Sequence, residues 1–495
     1  MNEEKRKLSG APKIEVRPMS TGAGFRERTV KSGRIKQYLG SVTVCLLAFG
    51  FGTVVGWTSP VLETLQGDGS PVGKMTDDGV SWLGSLTFIG GIIGSFVWGR
   101  IADGFGRKMA GYCVTVPFIA GWTIILFGTS ANMLYAARLL TGISGSGALI
   151  ICPLYISEIA HDSIRGALGS YVILFMNGGV VAAYAVGAAA SYRGLAVFCL
   201  AVPIVFLVLF FWLPETPNFY ISKSRNDHAE TSLLWYRGGN HKVASDEMEN
   251  LTKGVSKKQE SASYSDLIST KGNRKAMIIG LGLFTWQQFC GILALLTFVS
   301  SIFQSADPTM DSNKATIMVG LFQFAASYLS SLIVDRSGRK LLLLISYFMM
   351  GTSLFILGAY TYYKPEGLSW VPIACLCTHV VTYALGAGPV PYVVISETLR
   401  PKIKGLATST IIFWGTFLAF ISVQIFPFLN KQLGEHGNFM FFGAFCFFGF
   451  IFTWFLVPET KGVPLNDILA MLNGDPVGRI DAETINDEKA DAACV

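Results

Sequence analysis

Three charged motifs occur twice along the chain, in the same order. Asp103 stands four residues before Arg107-Lys108 in GRIADGFGRK, and Asp335 stands four before Arg339-Lys340 in DRSGRK. Ser157-Glu158, followed by Arg165-Gly166, is matched by Ser396-Glu397, followed by Lys404-Gly405. Pro214-Glu215-Thr216 is matched by Pro458-Glu459-Thr460. The offsets are 232, 239 and 244 residues, a slow drift that keeps the copies in register. Acids and bases so spaced can pair: Asp103 with Arg107, Glu158 with Arg165, and Asp335, Glu397 and Lys404 among themselves. Making and breaking such pairs is switching chemistry. The alternative is an ordinary interfacial charge cluster worth about 0–1 kcal/mol per pair. Repetition in register favours the switch, with Glu215, Arg339 and Glu459 as its remaining members.

Bond-making chemistry finds no foothold. There is no G-x-x-x-x-G-K-[ST] loop, no His-Glu-x-x-His and no G-x-S-x-G, and no paired acids lie within the apolar runs. The chain is therefore expected to be neither an enzyme nor a primary pump, and to need no metal or cofactor. Amides also stand inside the apolar runs: Gln287 and Gln288 together, Gln323, and Asn177. Arg138 sits six residues into one run, where an unpaired charge costs several kcal/mol. It is expected to pair with Glu215 or Glu158. His379 could titrate, but a neutral histidine packed between helices explains it as well.

The elements that position these groups cross a membrane. Of 495 residues, 51% are hydrophobic and 15% charged, whereas a soluble domain carries nearer a quarter charged. About 20 apolar residues of helix cross a hydrocarbon core of about 30 Å. Runs of that length fall at 38–62, 80–98, 109–128, 132–155, 167–190 and 194–213, then at 276–303, 314–334, 341–362, 369–394, 406–429 and 437–457. An all-α membrane protein of twelve transmembrane helices in two six-helix halves follows. Its parts are a tail 1–37, a half 38–213, a helical linker 214–275, a half 276–457 and a tail 458–495. Lys and Arg concentrate in the loops between runs 2 and 3, 4 and 5, 8 and 9, and 10 and 11, which places those loops and both termini in the cytosol. Glycine is abundant, at 54 residues, and Gly90-Gly91 and Gly142 are expected to mark helix contacts. The nine cysteines show no pairing rhythm; Cys45, Cys113, Cys199, Cys375 and Cys446 read as small buried hydrophobes. No basic stripe interleaved with aromatics suggests nucleic acid.

With GRIADGFGRK, DRSGRK, PLYISEIA, PETPN, WQQFCG, GPVPY and PETKG in hand, the chain resembles the sugar porters of the major facilitator superfamily from its first run to its last. Gly56-Trp57-Thr58-Ser59-Pro60 is similar to the insect facilitated trehalose and glucose transporters of that family. The resemblance implies alternating access, a monosaccharide or disaccharide bound between the halves, a multi-pass plasma-membrane protein, and no obligatory protein partner. It implies substrate contacts at Gln287, Gln288 and Gln323, with Tyr392 closing GPVPY; Asn177 and Trp414 also suit the lining.

The pocket departs from the family pattern. Leu293, Thr297, Phe298, Ile173 and Ala384 stand where polar, aromatic or acidic groups are usual, and Gly415-Thr416 where Asn-Trp is usual. Leu293, Phe298 and Ala384 suggest apolar contact surface, so a larger glycoside with an apolar aglycone is an alternative cargo, and proton coupling stays open. Proton-driven relatives carry an acid in run 1; here there is none between Tyr38 and Leu62. A sensor that binds sugar without moving it is the rival of another class.

Overall fold

In a computed structural model, residues 23–256, 263–306, 311–333, 337–365, 367–463 and 465–473 are described. All their regular structure is helical. The first half comprises α1 (Ala23–Gln66), α2 (Asp77–Phe105), α3 (Arg107–Phe127), α4 (Ala131–Ile159), α5 (Asp162–Ala189) and α6 (Tyr192–Phe210). Three short helices follow, α7 (Pro217–Ser222), α8 (Asn226–Tyr236) and α9 (His241–Ser256). The second half comprises α10 (Lys271–Phe289), α11 (Ile292–Ala306), α12 (Ser312–Ile333), α13 (Arg339–Tyr363), α14 (Val371–Thr382), α15 (Val390–Thr398) and α16 (Pro401–Leu456); α17 (Leu465–Asn473) ends the described chain.

Eleven helical stretches among the described residues are long and apolar enough to span a membrane. The last of them covers 55 residues, about 80 Å at 1.5 Å per residue, more than twice a bilayer core. It does not run straight. Gly434 breaks the helix at φ 71°, and the chain doubles back there: Asn438 Nδ2 reaches the Phe426 carbonyl at 3.0 Å, and Phe442 stacks on Phe426. Two crossings result, twelve in all.

Two other crossings are interrupted. Gly291, at φ 84°, separates α10 from α11. A π-helical turn at Tyr383–Ala387, followed by Pro389 and Pro391, separates α14 from α15. Broken helices free backbone carbonyls within the membrane, and such groups need partners.

Each half packs on itself through close backbone contacts. A Cβ at Gly90 of α2 would collide with the Leu139 carbonyl of α4, and one at Gly142 with the Thr87 carbonyl, as the glycine pattern predicts. Gly52 and Gly179 meet the same way between α1 and α5. Between the halves, α2 lies against α16, α5 against α12 and α1 against α11. Cys45, Cys199, Cys375 and Cys446 are buried and Cys113 half-buried.

Candidate functional site

The first four backbone N–H groups of a helix have no acceptor within it. At the start of α3 two of them are taken by Glu215, which the turn after α6 carries alongside: it accepts from Arg107 N at 3.1 Å and Lys108 N at 2.8 Å. The Arg107 side chain turns toward α4, with Nη2 2.8 Å and Nε 3.0 Å from Glu158 Oε1. Its Nη1 lies 3.5 Å from Asp103. Thr216 Oγ1 donates to Glu158 Oε2 at 2.5 Å, filling that carboxylate's other oxygen. Lys108 Nζ caps α6 at the Phe211 carbonyl, 2.9 Å away. Burial pushes the Glu215 carboxyl above its ordinary value, opposed by the N–H groups of Thr216, Lys108 and Arg107.

The second half repeats this contact by contact. Glu459 accepts from Arg339 N at 2.9 Å and Lys340 N at 3.1 Å at the start of α13. Arg339 Nη2 lies 3.0 Å from Glu397 Oε1. Thr460 Oγ1 donates to Glu397 Oε2 at 2.5 Å, and Lys340 Nζ reaches the Trp454 carbonyl at 2.7 Å. A carboxylate at a helix N-terminus is favoured by the helix dipole as well as by the hydrogen bonds. Thr216 and Thr460 were absent from the sequence-based set; their identical place after Pro-Glu in both halves was the available signal.

Three expected pairings come out differently. Glu158 is held by Arg107 and Thr216, while Arg165 Nη2 donates to the Ala160 carbonyl at 3.3 Å. Lys404 Nζ donates to the Ser396 carbonyl at 2.9 Å, while Glu397 is held by Arg339 and Thr460. Arg138 is not near the charge clusters at all. It lies twenty residues before Glu158 on one helix, about 30 Å away by helical rise. Buried, it donates to the Leu83 carbonyl (3.0 Å), the Val54 carbonyl (2.8 Å) and Thr58 Oγ1 (3.0 Å), under the Trp57 ring. Neutral acceptors and an aromatic face replace the predicted carboxylate. Asp335 lies outside the described residues.

Asn177 and Gln323 occupy mid-helix positions, and Gln287 and Gln288 the last turn of α10. Gln287 Nε2 donates to the Ala387 and Gly388 carbonyls, 2.8 and 2.9 Å away; the first of these has Pro391, which lacks an N–H, four residues on. Gln288 Nε2 donates to Gln287 Oε1 at 3.2 Å. Asn177 Nδ2 donates to Ser327 Oγ at 2.6 Å, and Gln323 Nε2 donates to Asn177 Oδ1 at 3.3 Å, joining α5 to α12 across the halves. Tyr392 stays half exposed beside Phe284, and Trp414 Nε1 donates to Thr285 Oγ1 at 2.9 Å. Phe298 and Ala384 are buried, and Phe298 stacks on Phe426. Thr297 bonds its own helix at Leu293. His379 is fully buried.

Other hydrogen bonds between the halves gather near the face opposite the charge clusters. Ser81 Oγ and Ser85 Oγ of α2 donate to Gln424 of α16 at 3.0 and 2.6 Å, Ser300 N donates to Ser59 Oγ at 3.1 Å, and Tyr184 OH donates to the Leu296 carbonyl at 2.8 Å. Of these residues only Ser59, in Gly56-Trp57-Thr58-Ser59-Pro60, falls in a motif quoted from the sequence.

The family model described as "Sugar (and other) transporter" matches residues 41–472. A facilitated trehalose transporter of Aedes aegypti is 34% identical over 94% of this chain and 57% of its own length. One of Polypedilum vanderplanki is 33% identical over 88% of both chains. The chain thus spans little more than half the length of several curated relatives. The inward-open structure of the xylose transporter XylE from E. coli superposes with a TM-score of 0.74 at 22% identity, over 87% of this chain and 98% of that one. The chain belongs to the sugar transporter family and has the fold of the major facilitator superfamily.

Proposed function

We propose that this protein moves a sugar, trehalose or a hexose, across the plasma membrane by alternating access, as a facilitative carrier. The duplicated charge cluster carries the reading. Each cluster ties together helices of a single half, so, in place of the switch expected from the sequence, its pairs hold that half as one body while the bonds between halves exchange. Substrate binds between the halves, with Gln288, Gln323, Tyr392 and Trp414 within reach. Trehalose is supported by the insect relatives that carry that name.

The Lys- and Arg-rich loops lie on the cytosolic side, together with both tails and the linker helices α7–α9. The hydrogen bonds at Gln424, Ser59 and Tyr184 then close the extracellular side, and the conformation faces inward. Facilitated movement is supported by the apolar runs, none of which contains Asp or Glu, and by Arg138, whose charge is held by neutral acceptors.

Uptake into vesicles carrying the purified protein tests this, with glucose and trehalose at two external pH values. Saturable, pH-independent uptake is expected. Uptake that collapses at the higher pH overturns the facilitative part; binding of either sugar without movement makes the protein a sensor.

A further inference from the structure

We propose that His161 is a pH sensor on the cytosolic face: its neutral ring caps α5, and acid on that side uncaps the helix and slows the carrier. The inference rests on the carrier reading and the orientation given above. His161 stands at the N-cap of α5 with φ −66° and ψ 145°, and its Nδ1 accepts from the Ser163 N–H at 3.3 Å. A backbone N–H only donates, so Nδ1 carries no proton and the ring is neutral. Ser163 Oγ, 3.0 Å from the same nitrogen, can donate or accept there. Protonation turns that contact round and leaves the Ser163 N–H without its acceptor. It also sets a cation at the positive end of the helix dipole. Histidine is the side chain whose charge ordinarily changes between pH 5 and 8.

The surroundings offer an imidazolium little reward. His161 is exposed and lines one cavity with Arg34 and Gln37 of α1, Ser163, and Arg237 and Asn240 of the linker. Glu247 of α9 spends both oxygens on Arg237, and Glu158 near the end of α4 is held by Arg107 and Thr216. Both acids are thus committed to other partners, while Arg34, and Arg165 on α5 itself, add positive charge. The second half does without such a cap. At the matching place, 239 residues on, Arg400 begins α16 with φ −60° and ψ 142° and no side-chain cap. Pro401 follows it at the first helical position and has no N–H to satisfy. The same backbone entry therefore responds to pH in the first half alone. Its influence extends beyond one turn. Gln37 accepts from His161 N at 2.9 Å and donates to the Tyr236 carbonyl at 3.2 Å, tying the start of α5 to α1 and the linker. Farther along, α5 meets the other half through Asn177 and Ser327.

Glucose and trehalose efflux from vesicles carrying the protein in one orientation tests this. The pH on the cytosolic face is taken from about 7.5 to about 5.5, across the histidine range, with the opposite face held constant. The maximal rate should fall about fivefold, the ordinary worth of one helix cap. His161→Asn, whose side chain accepts at either pH, should abolish the response. So should the double variant His161→Arg, Asp162→Pro, which copies the second half. A response that survives in both variants, or a wild type without one, overturns the proposal and leaves the carrier reading standing. If neither sugar moves, the carrier reading falls, and thermal unfolding in detergent still decides the cap. Acid should then lower the melting temperature of the wild type more than that of His161→Asn; equal losses overturn the cap as well.

Discussion

The two charge clusters make the same contacts in very different surroundings. The Glu158 side chain is 7% exposed and its counterpart Glu397 26%, although both hold an arginine and a threonine in the same way. The linker makes the difference. Ser232 of α8 donates to the Glu215 carbonyl at 2.5 Å, and Tyr155 and Tyr236 both bond the Pro214 carbonyl. Arg237, gripped by Glu247, also bonds the Ile159 carbonyl at 2.8 Å, and Gln37 bridges Tyr236 and His161. On the second half, the linker reaches Lys402 through Asp266 at 3.9 Å. A duplicated motif thus became one sealed cluster and one more open to water, and charge pairs gain strength as water is excluded.

Mutations should reveal that inequality. The largest effect is expected from removing one partner of the sealed pair. The two arginines are equally covered, but Glu158 is the less exposed glutamate, so Glu158→Ala removes the drier pair and should cost about 3–5 kcal/mol, whereas Glu397→Ala should cost distinctly less. Thermal unfolding in detergent measures both, and equal losses would erase the comparison. Next come the glycines beneath the two capping acids. A Cβ at Gly106 or at Gly338 would strike the Glu215 or Glu459 carboxylate. Gly106 alone also holds φ 104° and ψ 161°, a conformation nearly confined to glycine. Gly106→Ala should therefore cost about 1–3 kcal/mol more than Gly338→Ala in the same assay. A difference of opposite sign contradicts the geometry.

The smallest effect is a pH dependence. Burial raises the Glu215 carboxyl above its unfolded value, so the folded protein takes up the proton first as pH falls. Wild-type stability should rise relative to Glu215→Gln as pH drops from neutral through that raised value. A relative loss would mean that the helix N–H groups outweigh burial and depress the carboxyl instead.

The repeat was legible because each copy keeps its residue types and spacing, and the spans because hydrocarbon demands long apolar runs. Pairing within the clusters was less so. Arg107 meets Glu158 from 51 residues away only because α3 and α4 lie side by side, while Arg165 is nearer in sequence and ends on a carbonyl. The partners of Arg138 depend on its depth and direction in the bundle, which run length does not report. The duty of Gln287 follows from the break between α14 and α15 a hundred residues on, where Pro391 marks a carbonyl without a helical donor but not which side chain supplies one.

The account holds that bonds within each half persist while bonds between halves exchange. Ser85 Oγ and Gln424 Oε1, 2.6 Å apart across the halves, test it most directly. A Ser85→Cys, Gln424→Cys double variant, oxidised to its disulfide, should stop trehalose or glucose counterflow, and reduction should restore it. Counterflow that continues with the disulfide formed would contradict alternation between the two halves.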